Sequence, residues 1–268
     1  MSRGYLLFAI DTENVNYTQL ALACALTIKI TQPDGYNSVA LVTNSPNDNP
    51  VFDHVINYTG PTGMDARSRA YDYTPFDETV LLDADMLFLK DMSHYWNYMH
   101  KDLFVCTSPQ NHKGHSFSYG YYRRLFEDNK LFDVYNAWTY FRKTQQVKDF
   151  FDTVKLLTDH PEQFISQCLP MSNLTTIPTD EAFALALGML DIDAVESRWD
   201  FPRITHMKPM VQGWNEYTVD WQDKLRFQLD QQGQVKLGPW AQTELLHYVN
   251  KELITDDIIK TLERVYAK

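Results

Sequence analysis

The chain has 268 residues, 44% of them apolar and 14% aromatic, enough to bury a sizeable core and to exclude a disordered polypeptide. Its net charge of −11 argues against a protein that coats nucleic acid nonspecifically, since a polyanion would be repelled at long range. No stretch reaches the roughly 18 to 20 apolar residues needed to cross a bilayer, and an acidic residue follows the N-terminus too soon for a signal peptide, so the expected location is cytoplasmic.

Residues 5–10 (YLLFAI) form a short continuous apolar run, the pattern of a strand buried on both faces of a parallel sheet. Residues 18–30, dense in good helix formers and bounded by Pro33 and Gly35, predict a helix; residues 38–43 predict a second strand. That order is a right-handed crossover unit. Residues 51–58 follow as a third strand and 62–72 as a helix. Residues 78–89 (ETVLLDADMLFL) read as a central strand broken only by two aspartates. Further strands are expected at 103–108 and 134–141, and helices at 145–158 and at 179–189, the latter capped by Thr179 or Asp180. Short strands at 203–208 and 244–249 lead to a C-terminal amphipathic helix capped by Thr255. No repeat or linker interrupts the pattern, so one α/β domain spanning 1–268 is expected. The cysteines Cys24, Cys106 and Cys168 are odd in number and widely separated, which suits buried thiols better than disulfides or a zinc site.

Two aspartates inside an apolar strand need an explanation. Residues i and i+2 of an extended segment project to one side, so Asp83 and Asp85, separated by the small Ala84, can offer two carboxylates to one hard cation such as Mg²⁺ or Mn²⁺. Such ions are commonly shared with substrate phosphates, and ligands of α/β folds bind at the C-terminal edge of the sheet. The alternative is that Asp83 caps the strand and Asp85 is solvated. Residues 110–124 depart most from the average composition: Lys113, Arg123 and Arg124 stand beside His112, His115, Phe117, Tyr119, Tyr121 and Tyr122, with no carboxylate. This mixture suits stacking on sugars or nucleobases, or a plain surface loop.

Residues 75–92 (PFDETVLLDADMLFLKDM) resemble the metal-binding segment of glycosyltransferase family 8, the glycogenin and lipopolysaccharide galactosyltransferase group. The resemblance implies a GT-A fold, a Rossmann-like and mainly parallel mixed sheet flanked by helices. It implies a nucleotide-binding half at about 1–110, an acceptor-side half at about 110–250 and a C-terminal helix at about 255–268. The opening segment is similar to the family's first strand and helix, which implicates Ala9, Ile10, Asp11, Thr12 and Tyr17 in holding the nucleotide. Arg67 or Arg69 falls where the family keeps a basic residue near the donor. Asn136 and Ala137 resemble the Asn-Ser-Gly strand beside the donor sugar, although serine and glycine are missing. Asp180 and Glu181 match an acidic pair at a helix start; their other reading is a helix N-terminus favoured by the macrodipole. The family's third metal ligand is a histidine near the C-terminus followed by a lysine on the diphosphate. His247 with Lys251 fits by order and distance from Glu181, and His206 with Lys208 competes.

The implied activity is transfer of a sugar, as a hexosyl- or pentosyltransferase, from a nucleoside-diphosphate sugar, in the first instance a UDP-sugar, to a hydroxyl acceptor, with retention and with Mn²⁺ or Mg²⁺ as cofactor. The acceptor is a saccharide or, through residues 110–124, a hydroxymethylated DNA base. The small size and lack of an anchor suit a bacterial or viral enzyme. Two rival classes are a haloacid dehalogenase-like phosphatase, whose Asp-x-Asp-x-Thr/Val has Leu87 at its fifth place here, and a catalytically silent sugar-nucleotide binding protein.

Overall fold

The computed structural model describes residues 1–62, 64–107, 110, 124–170, 172–195, 202–206 and 227–268. In chain order β1 (Arg3–Ala9), α1 (Tyr17–Thr31), β2 (Val39–Thr43), β3 (His54–Asn57), α2 (Ala70–Tyr73), β4 (Glu78–Leu82), β5 (Met86–Phe88) and β6 (Leu103–Val105) form the first part. Then come α3 (Arg124–Asp128), β7 (Trp138–Arg142), α4 (Gln145–Asp159), α5 (Pro161–Cys168), α6 (Thr179–Met189) and β8 (Ile204–His206). The described chain ends with β9 (Phe227–Leu229), β10 (Val235–Leu237), β11 (Trp240–Ala241), β12 (Leu245–His247) and α7 (Asp256–Tyr266).

The main sheet has the order β3-β2-β1-β4-β7-β6; β3, β2, β1 and β4 are mutually parallel, and β7 is antiparallel to both β4 and β6. β1 shows why its sequence is a continuous apolar run. Successive side chains of a strand point to opposite faces, and here both faces are covered. Tyr5, Leu7 and Ala9 enter the core shared with α1, whereas Leu6, Phe8 and Ile10 enter the core shared with α4 and α6. α1 starts at Asn16, whose side chain accepts from Gln19 N at 2.8 Å. It is apolar almost all round because it lies between the sheet, β5 and α7.

Several expectations need correction. Residues 78–89 are two strands: β4 stops at Leu82, and β5 leaves the main sheet to pair antiparallel with β12, which pairs parallel with β8 in a second sheet. Asp83, Ala84 and Asp85 therefore lie in the turn between sheets, where Asp83 N donates to the Ala137 carbonyl at 3.1 Å. Residues 62–72 are a 3₁₀ turn (Met64–Arg69) followed by the single turn α2; Ser68 Oγ donates to the Asp65 carbonyl at 2.6 Å, a local bond that competes with the α-helical ladder. The third strand is only His54–Asn57, because Val51 and Phe52 turn inward on Asn49. The strand expected from residue 134 begins at Trp138. α6 starts behind Pro178, and neither Thr179 nor Asp180 caps it. The sequence reading contained neither α5 nor the three-stranded meander β9–β11. Among the described residues no helix is long and apolar enough to cross a membrane.

Candidate active site

A cleft of about 610 Å³ opens at the C-terminal ends of β1 and β4, within the size range of small-molecule sites. One wall is the turn Asp83–Ala84–Asp85. The register of β12 sets His247 opposite Met86, directly after that turn, and Tyr248 N donates to the Asp85 carbonyl at 3.2 Å. His247 Nε2 thereby lies 3.1 Å from Asp85 Oδ2 and 3.7 Å from Asp83 Oδ2. One ligand atom from each of the three residues lies within 4.8 Å of the others, close enough for all to hold one metal ion. Two carboxylate oxygens and one imidazole nitrogen fit a divalent ion of intermediate hardness and leave coordination positions for other ligands.

The electrostatics suit that use. Burial alone would push the Asp85 carboxyl up, but the charges of His247 and Lys251, and the hydrogen bonds they give, outweigh it and hold the group well below the usual carboxylate range. Asp85 is thus kept ionised, as a ligand must be. Lys251 pairs with Asp85 and lies 5.6 Å from the centroid of the Tyr17 ring. It reaches there because Val249 takes a left-handed conformation (φ 58°), uncommon for a β-branched residue, and turns the chain after β12. Asn250 then accepts from Glu252 N at 3.0 Å and fixes the short 3₁₀ turn that carries Lys251.

Arg67, Asn136, Asp180 and Glu181 line another part of the cleft. Arg67 Nη1 reaches the Asp83 carboxylate and lies 3.3 Å from Asn136 Oδ1, while Nη2 donates to the Asn136 carbonyl at 2.7 Å. Asn136 N donates to Asp180 Oδ1 at 2.8 Å, so Asp180, placed in the first turn of α6, ties the strand segment down instead of capping its own helix. Asn136 Nδ2 and Arg67 Nε are buried with no hydrogen-bond partner among the described residues. A buried donor left in this way at a cleft wall is suited to a polar ligand. Arg69, the other candidate, instead pairs with Asp159 at 3.1 Å.

Ile10, Thr12 and Tyr17 also line the cleft. Ala9 is fully buried in the core, and Asp11 organises the loop: its carboxylate accepts from Thr18 N at 2.8 Å, Thr18 Oγ1 at 3.0 Å and Ser45 Oγ at 2.6 Å. Neither is among the residues that line the cleft. His206 does line it, one strand over from His247 in β8. Sequence reasoning missed Tyr135, whose hydroxyl hydrogen-bonds Nδ1 of both His206 and His247. No motif marks it; only its place next to Asn136 could have drawn attention. Of residues 110–124, only Gln110 and Arg124 are described. Lys113, Arg123, the histidines and aromatic residues of that segment, and Lys208, lie outside the described residues.

No family model and no curated protein matches the chain. Among solved structures, the bifunctional glycosyltransferase WbbM, determined in its apo form, superposes with a TM-score of 0.55 at 9% identity, covering 98% of this chain and 51% of that one. The glycosyltransferase GlyE of Streptococcus pneumoniae TIGR4 gives a TM-score of 0.48 at 13% identity, covering 75% of this chain and 46% of that one. The chain thus spans about half the length of these structures. The architecture, a mixed and mainly parallel sheet flanked by helices, is the GT-A-like fold of glycosyltransferases.

Proposed function

We propose that the chain transfers a sugar from a nucleoside-diphosphate sugar, in the first instance a UDP-sugar, to a hydroxyl of a saccharide acceptor, with retention of configuration. One observation carries this reading: Asp83, Asp85 and His247 converge within 4.8 Å in a cleft that also holds Asn136, Asp180 and Glu181. An imidazole nitrogen beside two carboxylates favours Mn²⁺ over Mg²⁺, which prefers oxygen alone. When bound, such an ion supplies Lewis acidity to the diphosphate that leaves.

The chain's own residues do the rest. Lys251 adds a positive charge at the diphosphate, and Tyr17 offers its ring to the base, which Ile10 and Thr12 flank. Asn136 gives its unpartnered Nδ2–H to a hydroxyl of the donor sugar and, with Asp180, orients that sugar; Glu181 lies towards the anomeric carbon. Arg67 holds Asp83 and Asn136 in register. The phosphatase reading is not favoured: the fold is of another class, and Leu87 is buried in β5. A DNA-base acceptor gains no support, since the residues expected to meet it lie largely outside the described ones.

The test is to incubate the protein with Mn²⁺ and a panel of nucleotide sugars and to measure nucleoside diphosphate release. Release with one donor, lost in Asp85→Ala and in His247→Ala, supports the assignment. Failure with every donor, or release of inorganic phosphate from simple phosphate esters, overturns it.

A further inference from the structure

We propose that Tyr135 and His206 are positioning residues for His247, fixing the ring rotation and the tautomer that present its Nε2 to a divalent cation. The inference rests on the reading of Asp83, Asp85 and His247 as a cation site. It starts from backbone register: β8 and β12 run parallel with His206 directly beside His247, so both imidazoles leave the second sheet on one face. Their ring centroids are 4.8 Å apart. Tyr135 stands over the pair, its ring 5.2 Å from that of His206 and 6.0 Å from that of His247. Its hydroxyl meets both Nδ1 atoms. All three side chains are buried, with residue exposures of 4%, 5% and 8% for Tyr135, His206 and His247.

Proton counting then fixes the direction of the bonds. A cation takes the lone pair of His247 Nε2, so the proton of a neutral ring sits on Nδ1 and is donated to the Tyr135 oxygen. The phenol has a single proton, which goes to His206 Nδ1, and neutral His206 therefore carries its own proton on Nε2. Reversing the Tyr135–His247 bond would take the proton off His247 Nδ1 and leave the neutral ring's proton on Nε2, the nitrogen that faces the carboxylates. Metal-bound histidines ordinarily hand their second N–H to a carboxylate, carbonyl or water; here a phenol does so, backed by a second imidazole. Burying a phenol and two imidazoles costs free energy that an apolar core would not, and the Tyr135 hydroxyl offsets part of it by serving both Nδ1 atoms. A purely structural polar cluster is the competing account.

Mn²⁺ titration followed by the electron paramagnetic resonance of the free ion separates the two, run beside thermal unfolding of the same proteins without metal. Tyr135→Phe keeps the ring and removes the hydroxyl; it is expected to weaken Mn²⁺ binding about 10- to 100-fold. His206→Phe cannot accept the phenol proton and weakens binding in the same direction, whereas His206→Gln, with a carbonyl to accept it, recovers part of the loss. With Zn²⁺ as a diamagnetic stand-in, ¹⁵N spectra of the histidine rings should show the Nδ1–H of zinc-bound His247 hydrogen-bonded in wild type, and shifted and exchanging faster with water in Tyr135→Phe, a change at the bound ring that a merely structural role would not make. If wild type and Tyr135→Phe bind Mn²⁺ within about twofold of each other, or if His206→Gln and His206→Phe bind alike, the positioning role is wrong while the cation site stands. If wild type takes up no Mn²⁺, both fall, and the wild-type titration alone reveals it.

Discussion

Arg67 donates through Nη2 to the Asn136 carbonyl at 2.7 Å, and its other terminal nitrogen reaches the Asp83 carboxylate. One buried guanidinium thereby joins the inter-sheet turn to the segment that precedes β7. A lysine there has one point of charge and no fork, so it cannot serve both. Arg67→Lys is expected to lower kcat/KM for sugar transfer by about 10- to 100-fold. Steady-state kinetics beside a thermal melt checks this. A variant that keeps wild-type kinetics would show that the bridge is not needed for transfer.

Metal loading should show in stability. A ligand that binds only the folded state, at a hundredfold excess over its Kd, adds about 2.7 kcal/mol. For a chain of this size the corresponding rise in Tm is roughly 5 to 10 °C. Scanning calorimetry with and without Mn²⁺ reads the shift, which chelation should reverse and Asp85→Ala should abolish.

Acid stability is expected to depend on Glu78, the first residue of β4. Its buried carboxylate accepts from Tyr140 Oη at 2.7 Å and Arg142 Nε at 3.0 Å and pairs with Arg3 at 3.1 Å. Burial pushes this carboxyl up, but the bonds from Tyr140 and Arg142 and the charge of Arg3 outweigh it, so the group titrates below its ordinary value. The folded state therefore binds fewer protons than the unfolded chain in mild acid. The stabilisation is complete above the unfolded value of about 4.3 and is lost as pH falls through the lower folded value. Glu78→Gln should cost about 3 kcal/mol at pH 7 and flatten the acid limb of a urea-unfolding series against pH. A parallel acid limb in the variant would rule this out.

Packing makes a separate demand at Gly4. A Cβ built there would lie 2.4 Å from the Phe76 ring, which covers this point of β1. Phe76 is itself buried in the core, so the ring cannot simply swing away. Gly4→Ala should destabilise by about 1 to 3 kcal/mol, and Gly4→Ala with Phe76→Leu should regain part of it. Chemical unfolding of the single and double variants measures the coupling.

Much of this protein is legible in its sequence. The alternation of β1 into two cores, the crossover through α1 to β2, and α4, α6 and α7 all follow from local periodicity, which needs only neighbouring residues, and the paired aspartates stand out as the two charges in an apolar run. Grouping His247 and Lys251 with those aspartates came from a resemblance in chain order. Tertiary structure alone decided what depends on pairing between distant segments. The break of residues 78–89 into two strands arises because β5 finds β12 some 160 residues later, a partner that no local window contains. The same pairing sets His206 beside His247, so the two histidines that compete in the sequence become neighbours joined through Tyr135. The side chains of Asp11 and Arg69 are engaged by Thr18, Ser45 and Asp159, pairings that chain order does not reveal. The residue types declare which chemistry is possible, and long-range register selects the side chains that meet in the cleft, because a strand's partner, unlike its periodicity, is not written in its own residues.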